Sequence, residues 1–328
     1  MTRKQLIIVP GYFKSGSTLM YRHVWPKLGF SLLPKRSVKN NRNILFYILK
    51  VLNKIGVYKN FTPNIKSGRR VDFELCHTTN STDEITDALK SIFEITKSEK
   101  VVAEIGFLRP GVSDDNLKSL REPIRKLRAE GVDIKIFISI REQSEIILSR
   151  LKHDYRTFPP WKNEDNNFPV TDEYLKSIFS NEITCRCVYP FCLSDKVDGM
   201  GMDCIGDCGK VGKKIYHWSL FDFSYQVERF KTLTGVGDIY VQPLSLLLDD
   251  TPLAISKIAN WIGIEVDLTL FETPLPVINK APNIQSEMIL NNNAKELISK
   301  KYRKSNQELC ELYKLPICCL TAKPSIRS

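Results

Sequence analysis

The sequence predicts an α/β protein with a central parallel β-sheet flanked by helices. Short β-branched runs alternate with segments of helical period, the pattern of repeated strand-crossover-strand units. Three of those runs, residues 5–9, 101–105 and 134–140, are nearly continuous in apolar residues, as strands covered on both faces must be. The 328 residues show no internal repeat and no low-complexity tract, so one large α/β domain spanning residues 1–328 is expected.

Taken in order, the strands are expected at residues 5–9, 71–76, 101–105, 134–140 and 238–241. Helical spacing with plausible caps falls at residues 17–28, 83–96, 114–130, 142–155, 216–234, 252–262 and 287–312. Residues 31–70, rich in Lys and Asn, and residues 157–212, with Pro159, Pro160 and Pro190, break the alternation and read as insertions. In such a sheet the ligand is expected at the carboxyl ends of the strands, and insertions at that edge are where acceptor choice resides.

Composition narrows the partners. Lys and Arg number 48 against 37 Asp and Glu, a net charge of +11 that favours an anionic partner. The basic residues are scattered and lack the interleaved aromatics of a single-strand groove, so nucleic acid is not expected. The apolar run in residues 1–9 is too short for a secretory signal, and residues 44–57 are interrupted by Lys50, Asn53 and Lys54 and too short for a membrane span. A cytoplasmic protein is expected. Nine cysteines are more than a reducing compartment requires, and Cys185, Cys187, Cys192, Cys204 and Cys208 cluster without paired C-x-x-C spacing. Free thiols, a local staple and a structural metal all stay open there.

The sharpest signal is the strand LIIV, the turn Pro10-Gly11-Tyr12-Phe13-Lys14-Ser15-Gly16-Ser17-Thr18, and the helical run beginning at Leu19. A helix start preceded by small residues offers unpaired backbone N–H groups and the positive end of the helix dipole to an anion. The ATP-type loop places lysine directly after its last glycine. Here Lys14 precedes Gly16 by two residues, so that pattern fails. Lys-Ser-Gly-Ser-Thr instead resembles the 5′-phosphosulfate loop of sulfotransferases that use 3′-phosphoadenosine 5′-phosphosulfate (PAPS).

A second cationic site is then needed for the 3′-phosphate. Arg141 ends the strand at 134–140 and Ser149 follows eight residues later, which is similar to the family's strand-ending arginine and helical serine. Arginine's planar fork suits a phosphate. The resemblance continues through residues 238–250 and Asn260-Trp261-Ile262-Gly263, with Gln242-Pro243-Leu244 departing from the family's Tyr-Glu-Asp wording. The last helix, with Tyr302 and Asn306, also looks like the family's, and Asn279-Lys280 before it are candidates for closing over the nucleotide. Residues 31–70 and 157–212 lie outside the resemblance.

What the resemblance implies is a P-loop-like sulfotransferase fold, PAPS as donor, adenosine 3′,5′-bisphosphate (PAP) as product and no required metal. Lys14 would stabilise the leaving 5′-phosphate, and the segment from Ser15 through Gly16, Ser17 and Thr18 to Leu19 would hold the phosphosulfate. Arg141, Ser149 and Lys280 would bind the rest of the nucleotide. An acceptor hydroxyl must lose a proton. Glu104 in VVAEIG resembles the strand glutamate of the glycan enzymes, and His77 is the competing base. His23, His153 and His217 read as packing or helix-face residues. Trp218 or Tyr216 is a candidate stacking surface for adenine, although a Trp at helical spacing is more often core. The acceptor is expected to be a carbohydrate or another polar metabolite. Two other readings remain at this stage: a kinase or NTPase with a degenerate loop, which would need an acid for Mg²⁺, and a non-enzymatic binder of acidic polymers.

Overall fold

A computed structural model describes residues 3–10, 16–32, 70–71, 82–105, 114–157, 169–180, 216–276, 288–316 and 320. The chain opens with strand β1 (Gln5–Val9) and helix α1, whose first turn, Ser17–Leu19, is α and whose continuation, Met20–Val24, is wound as a π-helix. There follow β2 (Ser31–Leu32), β3 (Arg70–Val71), α2 (Thr82–Thr96), β4 (Lys100–Ile105), α3 (Asp114–Lys118) and α4 (Arg121–Ala129). Next come β5 (Asp133–Ile140), α5 (Gln143–Thr157), β6 (Pro169–Val170), α6 (Asp172–Ile178), β7 (Phe179–Ser180) and β8 (Tyr216–His217). The remainder is a 3₁₀ turn (Trp218–Phe221), α7 (Phe223–Thr234), β9 (Ile239–Pro243), α8 (Leu244–Asp249), α9 (Thr251–Ile262), a second 3₁₀ turn (Leu268–Phe271), β10 (Ile289–Leu290) and α10 (Asn292–Tyr313).

The central sheet runs β2-β4-β1-β5-β9, with β3 also paired to β4, and every pairing is parallel. β2 lies against Val101 and Val102 and β3 against Glu104 and Ile105, so the two short strands share one edge of β4 in succession. Helices cover both faces. Leu6, Ile8, Val101, Ala103, Ile134, Ile136, Ile138 and Ile140 pack with α2, α4, α5, α7 and α10. Ile7, Val9, Val102 and Phe137 pack on the other side with α1, α9 and Leu247. This is why β1, β4 and β5 read as continuous apolar runs: alternate residues enter different cores, and neither face meets water.

The expected α/β class is the observed one, and four of the five expected strands match to within two residues. In the fifth only Arg70–Val71 is described, and residues 72–76 lie outside the described residues. Helix detail departs where proline removes a donor. The segment expected as one helix at 114–130 is two, because Pro123 has no N–H to continue the ladder from Ser119 and fits the first turn of a new helix. Pro26 likewise has no N–H to carry the helix beyond α1, whose α register has already given way at Met20, Trp25 N–H reaching back five residues to the Met20 carbonyl at 2.9 Å. The segment expected to be helical from residue 216 begins with β8 and a 3₁₀ turn, and the one from 287 begins with β10.

The second insertion is anchored at its margins. β6 pairs with β10, and β7 pairs with β8, so Ser180 and His217 are Cα partners although the sequence between them is long. The cysteine cluster, Cys185 to Cys208, lies between them and outside the described residues.

Candidate functional site

Lys14 and Ser15 lie outside the described residues; the chain is next described at Gly16, the residue that starts α1. Gly16 has φ 90° and ψ 8°, a left-handed conformation that glycine adopts without Cβ strain. A Cβ there would also stand 2.6 Å from Leu244 Cδ1. Glycine is therefore required twice, by backbone angle and by the close approach of the β9–α8 corner. The Gly16 carbonyl accepts from the Leu19 and Met20 amides at 2.9 and 3.1 Å. Those bonds open the helical ladder, so the amides of Ser17 and Thr18 precede it and form the donor end of the helix. Leu19, Met20, Tyr21, Val24 and Trp25 are buried, which locks the helix against the sheet and fixes that end beside the carboxyl end of β1.

Arg141 follows the last residue of β5, and β5 is the hydrogen-bonded neighbour of β1. The two junctions thus leave adjacent parallel strands at the same sheet edge, with β5 extending past the level at which β1 ends. The Arg141 Nε donates to a Glu145 carboxylate oxygen, and Arg141 has no further partner among the described residues. Ser149, one turn beyond Glu145, is half-buried, and its hydroxyl has no hydrogen-bond partner among the described residues.

Glu142 consumes the donor end of α5. Its carboxylate accepts from the Ser144 amide at 3.0 Å, the Glu145 amide at 2.9 Å and the Ser144 hydroxyl. An anion at this second junction therefore has to be met by side chains, unlike at Gly16. Both Glu142 and Glu145 escaped the sequence reading, although the Arg141–Glu145 spacing of four was visible in REQSE.

Glu104 pairs through its Cα with Val9 on one side and Arg70 on the other, level with the last residue of β1. His77 and Lys280, with Asn279, fall outside the described residues. Trp218 is a core residue: it stacks on Phe179 at 4.2 Å between ring centroids, and its carbonyl accepts from the Tyr302 hydroxyl at 2.7 Å. Of Tyr216 only the backbone is described. The His217 ring accepts from the Ser219 amide at 3.2 Å and caps the 3₁₀ turn.

Gln242, met in the sequence only within the Gln242-Pro243-Leu244 departure, is a further polar residue at this edge. It stands opposite Ser139 on the neighbouring strand and is fully buried; its Nε2 donates to the Pro243 carbonyl at 2.8 Å. Its Oε1, like the Ser245 Oγ, is buried without a partner among the described residues. These neutral polar groups lie at the same carboxyl edge, next to the Leu244 that covers Gly16. Among the described residues no group of three His, Cys, Asp or Glu side chains is arranged to hold a metal ion, and no helix is long and apolar enough to cross a membrane.

No protein-family model matches the chain, and no curated protein matches it in sequence. Solved structures similar to it include a sulfotransferase from Alicyclobacillus acidocaldarius, at 14% identity and a TM-score of 0.44, covering 96% of this chain and 98% of that one. Another is the sulfotransferase domain from the curacin biosynthetic pathway, at 10% identity and a TM-score of 0.35, covering 96% and 99%.

Proposed function

We propose that the chain is a single-domain, cytoplasmic PAPS-dependent sulfotransferase that moves a sulfuryl group to a hydroxyl or amine of a carbohydrate or other polar metabolite and releases PAP. The observation that carries this reading is the adjacency of two junctions with the expected residues: Gly16-Ser17-Thr18 after β1 and Arg141 with Ser149 after β5. The donor end of α1 donates to the 5′-phosphosulfate, and the neighbouring guanidinium donates to the 3′-phosphate of the same nucleotide.

In this reading the acceptor oxygen attacks sulfur as the bond from sulfur to the bridging oxygen breaks, and that electron pair leaves on the 5′-phosphate of PAP. Charge therefore grows on the bridging and equatorial oxygens, where preorganised donors act most strongly. The Ser17 and Thr18 amides and the Lys14 ammonium supply them. Glu104, level with the end of β1, is the first candidate to take the acceptor's proton. His77 is the second.

The test is transfer of radiolabelled sulfate from PAPS into a panel of glycans and cell extracts, beside a thermal-shift comparison of PAP with ATP plus Mg²⁺. Stabilisation by PAP without metal and loss of labelling in Lys14→Ala are expected. Stabilisation by ATP plus Mg²⁺ alone would instead mark a kinase or NTPase. Binding to acidic polymers that survives Lys14→Ala and fades with salt, without transfer, would mark a non-enzymatic binder. Cell fractionation tests the cytoplasmic assignment.

A further inference from the structure

We infer that Glu145 tunes nucleotide affinity, as a resident carboxylate that holds Arg141 when no nucleotide is bound and that the 3′-phosphate must displace; the inference rests on the proposed assignment of Arg141. The Arg141 guanidinium is half-buried and its Nε is engaged by Glu145. Glu145 and Ser149 follow one another by a helical turn, about 5–6 Å between Cβ atoms. An anion that takes the Nε edge of Arg141 must displace the Glu145 carboxylate from it. Glu142 removes the alternative, because its own carboxylate already occupies the Ser144 and Glu145 amides.

The consequence is a competition between two anions for one guanidinium. A 3′-phosphate is close to a dianion with three acceptor oxygens and makes bidentate contact with a guanidinium, so it displaces a single carboxylate at modest cost. A nucleotide with a free 3′-hydroxyl has nothing to exchange for Glu145 and leaves the ion pair in place. Glu145 thus lowers affinity for 3′-phosphorylated nucleotides, PAP included, and leaves affinity for nucleotides with a free 3′-hydroxyl unchanged.

The experiment measures calorimetric Kd values for PAP and for adenosine 5′-phosphate with the wild-type chain, Glu145→Gln and Arg141→Ala. Glu145→Gln keeps the side chain's size and polarity at an exposed helix position and removes its charge. Its PAP Kd is expected to fall about two- to fivefold, the scale of an exposed ion pair, with adenosine 5′-phosphate unchanged. An unchanged or weaker PAP affinity in Glu145→Gln, with Arg141→Ala weakened, would overturn the inference and make Glu145 a support for Arg141, leaving the nucleotide site intact. PAP affinity unaffected by Arg141→Ala would overturn the assignment of Arg141 and the inference with it.

Discussion

Gln143 and Asn306 exchange two side-chain hydrogen bonds in the interior, Nε2 to Oδ1 at 2.6 Å and Nδ2 to Oε1 at 3.0 Å, across 163 positions of sequence. The pair ties the first residue of α5 to α10, and α5 begins two residues after Arg141. Through this pair α10 braces the second junction, and α10 is itself fixed by the Ser305 hydroxyl on Asp222 and the Tyr302 hydroxyl on the Trp218 carbonyl. Replacing Asn306 by Ala leaves the buried Gln143 amide unsatisfied. The expected cost is about 1–3 kcal/mol of stability, read from urea unfolding. Gln143→Leu with Asn306→Leu should cost less than Asn306→Ala alone, because both orphaned groups leave together.

Gly16 is held by two constraints, and a pair of variants separates them. Gly16→Ala places a Cβ at a positive φ, which costs about 1–2 kcal/mol, and drives it into Leu244. Leu244→Ala clears the space and leaves the backbone angle unchanged. PAP-induced thermal stabilisation is expected to fall in Gly16→Ala and to stay low in the double variant, since the donor end of α1 is set by that angle. Recovery in the double variant would show that the Leu244 contact alone dictates glycine.

Much of this architecture is legible in the chain because burial on both faces writes itself as uninterrupted apolar strands, and residues 5–9 and 134–140 could be read to within one residue. The two junctions were legible for the same reason, as each follows such a strand. What escaped were relationships with no local signature. Leu244 against Gly16, Gln143 with Asn306, and the buried Gln242 all join segments far apart in sequence or depend on which face a residue occupies. Trp218 shows that burial can be weighed from sequence: a Trp at helical spacing is expected more often in the core than under a ligand, and its ring packs on Phe179 and Tyr302.

Ser180 and His217 are Cα partners in the β7–β8 pairing, so the chain leaves and re-enters the described fold at one place. Replacing residues 183–213 by a short Gly/Ser linker is expected to leave the melting temperature and PAP binding nearly unchanged, because loop length itself contributes little to folding free energy. Under the proposed function, sulfate transfer to the acceptor is expected to fall or change in preference, the insertion being the expected carrier of acceptor choice. Loss of the folded state in the linker variant would show that the replaced segment is part of the core.

Burial also sets a limit at high pH. Burial pushes the Tyr240 hydroxyl up to about 12, the Tyr313 hydroxyl likewise to about 12, and the Tyr302 hydroxyl well above its ordinary range. For an acid with a raised folded value, the unfolded chain ionises first, so the folded state binds more protons between roughly pH 10 and 12 and loses stability as pH rises through that window. Below about pH 10 these tyrosines are neutral in both states and contribute no pH dependence. Urea midpoints are therefore expected to be insensitive to these groups at pH 8 to 9 and to decline above pH 10. Tyr240→Phe keeps the ring that stacks on Phe137 at 6.0 Å and removes the ionising group. Its midpoint should decline less steeply than the parent's over the same window, and an identical slope would show that Tyr240 takes no part in the alkaline loss.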